Sequence, residues 1–222
     1  YVEPMRKFQL AAMGHGKQQP PEHLRERILT SMDPLPIWYP PFEETVTDND
    51  EFTLHALTQR PMAMYHSWGT QNAWLRQIHG VNPLYVPSKL MKSHFLKDGD
   101  WVRLTSIHGT ITVPVAEMAA LNEHTVWTWN AIGKRRGTWA LDKNAPEATK
   151  GFLLNHLIHE LLPSKGDGLR WSNSDPITGQ AAWFDLKVKL EKVKPPSSSE
   201  PVFQEIKSPG EQGPNIILQG QS

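Results

Sequence analysis

From residue 51 onward, apolar and polar positions fall into short alternating runs separated by turn residues. Short runs between turn residues predict strands over 52–57, 84–86 and 125–129, and alternation with a period of two predicts strands over 101–106 and 110–115. The clearest run lies over 183–193, where Phe184, Leu186, Val188 and Leu190 alternate with Asp185, Lys187, Lys189 and Glu191. Helical spacing interrupts these strands three times. Asn72 caps a short helix over 72–78, Ser88 opens another through about residue 95 with Leu90, Met91 and Phe95 on one side, and 151–161 reads as an amphipathic helix with Leu154, Leu157, Ile158 and Leu161 together. Lys97-Asp98-Gly99-Asp100 is a strong turn signal, because Asp-Gly tolerates the positive φ of a tight reversal, and His108-Gly109 gives a second reversal. Many short strands with few short helices predict a mainly β chain, a closed barrel with helical inserts.

The two ends lack this pattern. Prolines at 20, 21, 34, 36, 40 and 41 forbid long regular elements, so residues 1–50 read as an arm in which only 22–31 is helical. Trp38, Tyr39 and Phe42 give that arm apolar surface to lay on another body. From residue 194 on, Pro, Ser, Gly and Gln dominate, and 195–222 is expected to be a flexible or strap-like tail. The expected organisation is therefore an arm over 1–50, a barrel domain over 51–194 and a tail over 195–222. A chain of 222 residues starting at Tyr1 rather than Met is expected to be a piece of a longer protein.

Charge and composition narrow the chemistry. Lys plus Arg and Asp plus Glu balance at 23 each, which argues against a nucleic-acid partner. Cysteine is absent, which removes disulfides, thiolate metal sites, iron–sulfur ligation and cysteine nucleophiles from this chain. No apolar run approaches the ~20 residues of a membrane-spanning helix, and the expected location is cytoplasmic.

The candidate site is the polar stretch that follows the first strand. Thr58, Gln59, Arg60, His66, Ser67, Thr70, Gln71 and Asn72 are hydrogen-bonding groups, and Tyr65 and Trp68 are flat faces, a combination suited to an anionic heteroaromatic ligand. Its bland reading is a polar connection on a barrel rim. Gly133-Lys134-Arg135-Arg136-Gly137 resembles a phosphate cradle but lacks P-loop spacing, so a solvated basic loop is the preferred reading. His156, His159 and Glu160 fall at i, i+3 and i+4, but not in the His-Glu-x-x-His order, and histidines at a helix edge are preferred over ligands. No Gly-x-Ser-x-Gly elbow and no nucleophile–base set is present.

Several segments, in order, resemble the C-terminal cofactor-binding domain of molybdopterin oxidoreductases of the dimethyl sulfoxide reductase superfamily. They are Thr58-Gln59-Arg60 followed by Tyr65-His66-Ser67; Asn82-Pro83 through Leu96-Lys97-Asp98-Gly99-Asp100-Trp101-Val102; Asn155; and Asp175-Pro176-Ile177-Thr178-Gly179-Gln180 leading into Val188-Lys189-Leu190. The wording Thr-Gln-Arg-Pro-Met-Ala-Met-Tyr-His-Ser-Trp-Gly looks most like large subunits of sulfite dehydrogenases and their polysulfide or thiosulfate reductase relatives. The resemblance implies a double-psi β-barrel of the aspartate decarboxylase-like kind that covers a molybdopterin guanine dinucleotide carrying molybdenum or tungsten.

Carried over residue by residue, it implies cofactor contacts at Thr58, Gln59, Arg60, Tyr65, His66, Ser67, Asn155, Asp175 and Gln180, with Arg60 and His66 on pterin or phosphate oxygens. Gln59 stands where Gly is more usual, Asp185 where many relatives have Lys, and Ala181-Ala182 lacks a frequent Pro. No catalytic residue and no metal ligand is assigned in this chain. The implied partners are the remaining domains of the same large subunit, an iron–sulfur electron-transfer subunit plus a membrane anchor subunit, through which the enzyme would be membrane-associated. The implied role is to bind and orient a cofactor for oxygen-atom or electron transfer on a small substrate, a sulfur compound being the narrower expectation; this chain alone would not turn over. The alternative is a noncatalytic barrel that binds or assembles, with Trp101, Trp127, Trp129 and Trp139 as its recognition surface.

Overall fold

The computed structural model describes residues 2–35, 38, 41, 43–66, 68–79, 81–130, 132, 151–159, 161–162, 173–175, 180–181 and 185–196. Among these, six strands close into one barrel: β1 (Leu54–Gln59), β2 (Leu84–Val86), β3 (Trp101–Thr105), β4 (Thr110–Glu117), β5 (Thr125–Trp129) and β6 (Lys187–Val193), in the spatial order β1-β5-β2-β4-β3-β6. The barrel is mixed. β1 runs parallel to β5 and β2 parallel to β4, while the β3–β4 hairpin, β3–β6, β1–β6 and β2–β5 are antiparallel.

Alternation puts Leu54, Ala56, Leu84, Val86, Val102, Leu104, Ile111, Val113, Val115, Val126, Val188 and Leu190 into one buried cluster. Each Leu, Val or Ile among them contributes on the order of 1.5–3 kcal/mol by leaving water. Lys187 breaks the expected alternation because it is buried. Its Nζ lies 3.8 Å from a Glu44 carboxylate oxygen and its N–H donates to Glu43 at 3.0 Å, so the chain that precedes the barrel supplies the partners.

The Asp98-Gly99-Asp100 turn forms as its residue types dictate. Gly99 sits at φ +85, and its N–H donates to Val115 at 2.9 Å. Asp100 accepts from the Lys97 N–H at 2.9 Å and from Lys192 Nζ at 2.7 Å, and the Lys192 hydrogen bond, followed by that of Lys97, holds its carboxyl below the ordinary range.

α1 (Val2–Ala12), α2 (Glu22–Ser31), α3 (Ala73–Ile78) and α4 (Ser88–Ser93) complete the described helices. α2 and α3 form where spacing predicts them, and the Asn72 side chain caps α3 by accepting from the Trp74 and Leu75 N–H groups. Three expectations are corrected. α1 lies within the expected irregular arm: Pro4 falls in its first turn, where a missing N–H costs nothing, and a Glu3–Lys7 ion pair at 3.0 Å spans one turn. Pro87, not Ser88, occupies the N-cap of α4, and no side chain caps that helix. The amphipathic helix over 151–161 is only a 3₁₀ turn, Leu154–Leu157. A single turn suffices to bury Leu154 and Leu157, after which Ile158 is extended and His159 receives the Leu161 N–H.

Candidate functional site

β1 delivers its last residues to one end of the barrel beside the C-terminal end of β5. The parallel register pairs Thr58 with Thr128 and Gln59 with Trp129, and the Asn130 N–H extends the ladder to the Gln59 carbonyl at 2.7 Å. Thr58 still faces inward and is buried, whereas Gln59 and Arg60 emerge into solvent. Pro61 ends the strand and Met64 turns back into the core, so the chain is anchored on both sides of an exposed polar stretch.

Tyr65 and His66 follow as an edge-to-face pair with ring centroids 4.9 Å apart. His66 holds φ +48, a left-handed conformation that reverses the chain before the 3₁₀ turn Trp68–Gln71 and α3. The reversal is tight. A Cβ on Gly69 would lie 3.0 Å from Met64 Cβ and Cγ and 3.2 Å from Leu75 Cδ1, closer than most Cβ contacts, so a larger residue there would press on Met64 and Leu75. Met62, Tyr65, Trp68, Trp74 and Ile78 all project into solvent from this one segment.

Asp175 and Gln180 are brought together: the Asp175 N–H donates to the Gln180 carbonyl at 2.7 Å, and Ser174 and Ala181 form an antiparallel bridge. Asn155 is exposed on the 3₁₀ turn whose Leu157 carbonyl accepts the buried Ser106 hydroxyl at 2.7 Å. Ser67 lies outside the described residues, as do the basic loop 133–137, Glu160 and Trp139. Of the proposed tryptophan surface, Trp127 is buried and is packed between Tyr85 and Trp129 at centroid distances of 4.9 and 4.6 Å. Burial holds His156 below its ordinary value, and among the described residues no three His, Asp or Glu groups converge on a point that could hold a metal ion.

One signal in the sequence went unread. Residues 52–97 contain no Asp or Glu but carry Arg60, Arg76, Lys89, Lys92 and Lys97. In a chain of zero net charge, that span carries cations and no carboxylate, and it contains the stretch 58–72 from end to end. Asn82, quoted above only as the start of a resembling segment and given no role of its own, is buried at the foot of the same span; an Asn-Pro pair directly before a strand is its local sequence mark.

No protein-family model matches the chain. It is 50% identical over 216 residues to a sulfite dehydrogenase subunit from Allochromatium vinosum; the match takes in 96% of this chain and 22% of that protein. The chain thus spans about a fifth of the relative's length. Among solved structures, acetylene hydratase from Pelobacter acetylenicus superposes with a TM-score of 0.54 at 17% identity, over 77% of this chain and 23% of that one. That likeness shows a shared fold. No helix among the described residues is long and apolar enough to cross a membrane.

Proposed function

We propose that residues 51–194 are a double-psi β-barrel that binds and orients a molybdopterin guanine dinucleotide within the large subunit of a molybdenum or tungsten oxidoreductase, with 1–50 as an arm and 195–222 as a tail. The observation that carries this reading is the emergence of Gln59-Arg60, then Tyr65 with the half-buried His66 beside it, after the end of β1 on a segment without a single carboxylate. The similarity to a sulfite dehydrogenase subunit supports it and favours a small sulfur-containing substrate for the complete enzyme. A relative named as one subunit of a dehydrogenase also favours partner subunits, for which an iron–sulfur electron carrier and a membrane anchor are the proposed types, on the cytoplasmic side.

The donor set fits such a ligand. A guanidinium and an imidazole suit phosphate and pterin oxygens, an amide suits a base edge, and the exposed Tyr65 ring offers a face to a heteroaromatic plane. Arg60 and His66 would hold the anionic portion, with Thr58, Gln59, Tyr65, Ser67 and Asn155 beside them and Asp175 and Gln180 at the margin. The cofactor, when bound, supplies oxygen-atom or electron transfer; this chain's residues bind it, orient it and exclude water from it. The exposed apolar side chains Met62, Trp68 and Trp74 suit burial against the remainder of a longer polypeptide.

In the full-length protein, Arg60→Ala is expected to lower the content of both molybdenum and acid-releasable guanine nucleotide. Parental content of both, with unchanged turnover, would remove Arg60 from the site.

A further inference from the structure

Asn82 stands where three stretches of the candidate site meet. It is fully buried, yet every polar atom of its amide is engaged. Oδ1 accepts from the Thr128 hydroxyl at 3.0 Å and from the Trp129 N–H at 3.2 Å; Nδ2 donates to the Trp129 carbonyl at 3.0 Å and to the Phe152 carbonyl at 3.4 Å. The orientation is determined by these partners, since one end faces an N–H and the other faces two carbonyls.

Its partners are not arbitrary. Thr128 and Trp129 end β5, in parallel register with Thr58 and Gln59 of β1. Phe152 lies three residues before Asn155 on a short, buried lead into the 3₁₀ turn. Asn82 itself closes the segment that holds Tyr65, His66 and α3. One side chain therefore joins the end of β1, by way of β5, to the stretch bearing Asn155 and to the loop between them. With two acceptor bonds and two donor bonds made, the amide has no N–H left for a ligand.

We propose that Asn82 is a positioning residue for the bound cofactor, fixing through Trp129 and Phe152 the relative placement of Thr58-Gln59-Arg60 and Asn155. This rests on the cofactor reading above. A leucine could fill the same volume, but it would leave the Trp129 N–H, the part-buried Trp129 carbonyl and the buried Phe152 carbonyl without this partner. Displacement of either segment by a fraction of an ångström alters every contact that the pair makes with a rigid ligand.

The test uses the full-length holoprotein and follows the half-time of guanine nucleotide and molybdenum release, with the melting temperature of the cofactor-depleted protein measured in parallel. Asn82→Asp keeps both acceptor bonds but loses both donors. The half-time is expected to shorten about tenfold at pH 8 and to recover as the pH falls and the introduced carboxyl gains a proton to donate. Thr128→Val, which removes one bond to Oδ1, is expected to shorten it a few-fold and carries the test if the first variant does not fold.

Val113→Ala, in the barrel core, is the control for stability alone: it is expected to lower the melting temperature without changing the half-time. A parental half-time in Asn82→Asp, while Arg60→Ala loses nucleotide, would overturn the positioning role and leave the cofactor reading intact. Equal shortening in Val113→Ala at an equal melting temperature would make Asn82 structural only. Retention in the Arg60 and Asn82 variants alike would overturn the cofactor reading, and the positioning role with it.

Discussion

Glu43 Oε2 lies 4.0 Å from His108 Nε2, and both side chains are fully buried. The Glu43 carboxyl accepts the Lys187 N–H through its other oxygen, while Oε2 and both imidazole nitrogens make no hydrogen bond among the described residues. Burial pushes Glu43 up to about 7 and His108 down to about 4; the Lys187 N–H and side chain oppose the first shift, Asp185 adds to it, and His159 adds to the second. The folded pair is therefore a carboxylic acid beside a neutral imidazole. Between about pH 4.5 and 6.5 the unfolded pair is a carboxylate and an imidazolium, which holds the same single proton.

It follows that this pair makes folding nearly independent of pH in that window, and that removing either member exposes the other. Stability from Glu43 is complete below pH 4.5 and is lost as pH rises through 7; stability from His108 is complete above 6.5 and is lost as pH falls through 4. Glu43→Gln should therefore unfold more easily toward pH 4, and His108→Leu more easily toward pH 7, each by at most about 3 kcal/mol across its window. Urea titrations at four or five pH values measure both slopes, and parallel slopes in the two variants would contradict the assignment.

Phe95 occupies the position after the C-cap of α4 at φ +52 with its ring exposed. The Leu96 N–H reaches the Met91 carbonyl at 2.8 Å and the Phe95 N–H reaches that of Lys92 at 3.2 Å, the paired bonds of a Schellman ending, where glycine is the usual residue. Phe95→Gly is expected to raise stability by about 1 kcal/mol, read as an upward shift in melting temperature.

Gly69→Ala is expected to destabilise by about 1–3 kcal/mol, because the new methyl meets Met64 at its Cβ, which cannot swing aside. Thermal melting checks the magnitude. The same substitution in the full-length protein should reduce cofactor content, since the loop that carries Tyr65 and His66 must shift.

Asn72→Ala removes a side chain that accepts from two N–H groups at 2.9 and 3.4 Å. The expected cost is about 1 kcal/mol. It should appear as faster amide exchange at Trp74 and Leu75, with the β3–β4 hairpin unaffected.

The strands were legible from short runs between turn residues: β2 and β5 fall on the predicted residues and β3 and β4 within two of them, while β1 lies two residues later than expected and β6 starts only at Lys187; β5 is buried throughout Thr125–Thr128 and does not alternate. Their order was not legible, since pairing β1 with both β5 and β6 joins residues far apart in the chain, and no local pattern encodes a neighbour. α1 was missed because the prolines of the arm obscured a helix whose own proline lies harmlessly in the first turn. The apparent helix over 151–161 failed because a leucine pair three apart is met equally well by one 3₁₀ turn. Arg60 and His66 were legible as polar residues after a strand, whereas Thr58 and Gln59, expected in the polar stretch that follows it, end β1 itself, and Thr58 is buried. Asn82 and the Glu43–His108 pair were not legible, because their meaning lies in partners that only the closed barrel brings near.

The interleaved strand order also bears on how the protein is made. β1, the first of the six described barrel strands in chain order, has β5 on one side and β6 on the other, and β6 ends at Val193. No early group of strands can seal its own edges, so β1 must wait with open backbone until more than a hundred later residues are synthesised. Closure is thus a late, non-local event, and a nascent chain halted before residue 187 would present an unpaired β1 edge to whatever chaperone or cofactor-loading machinery is at hand.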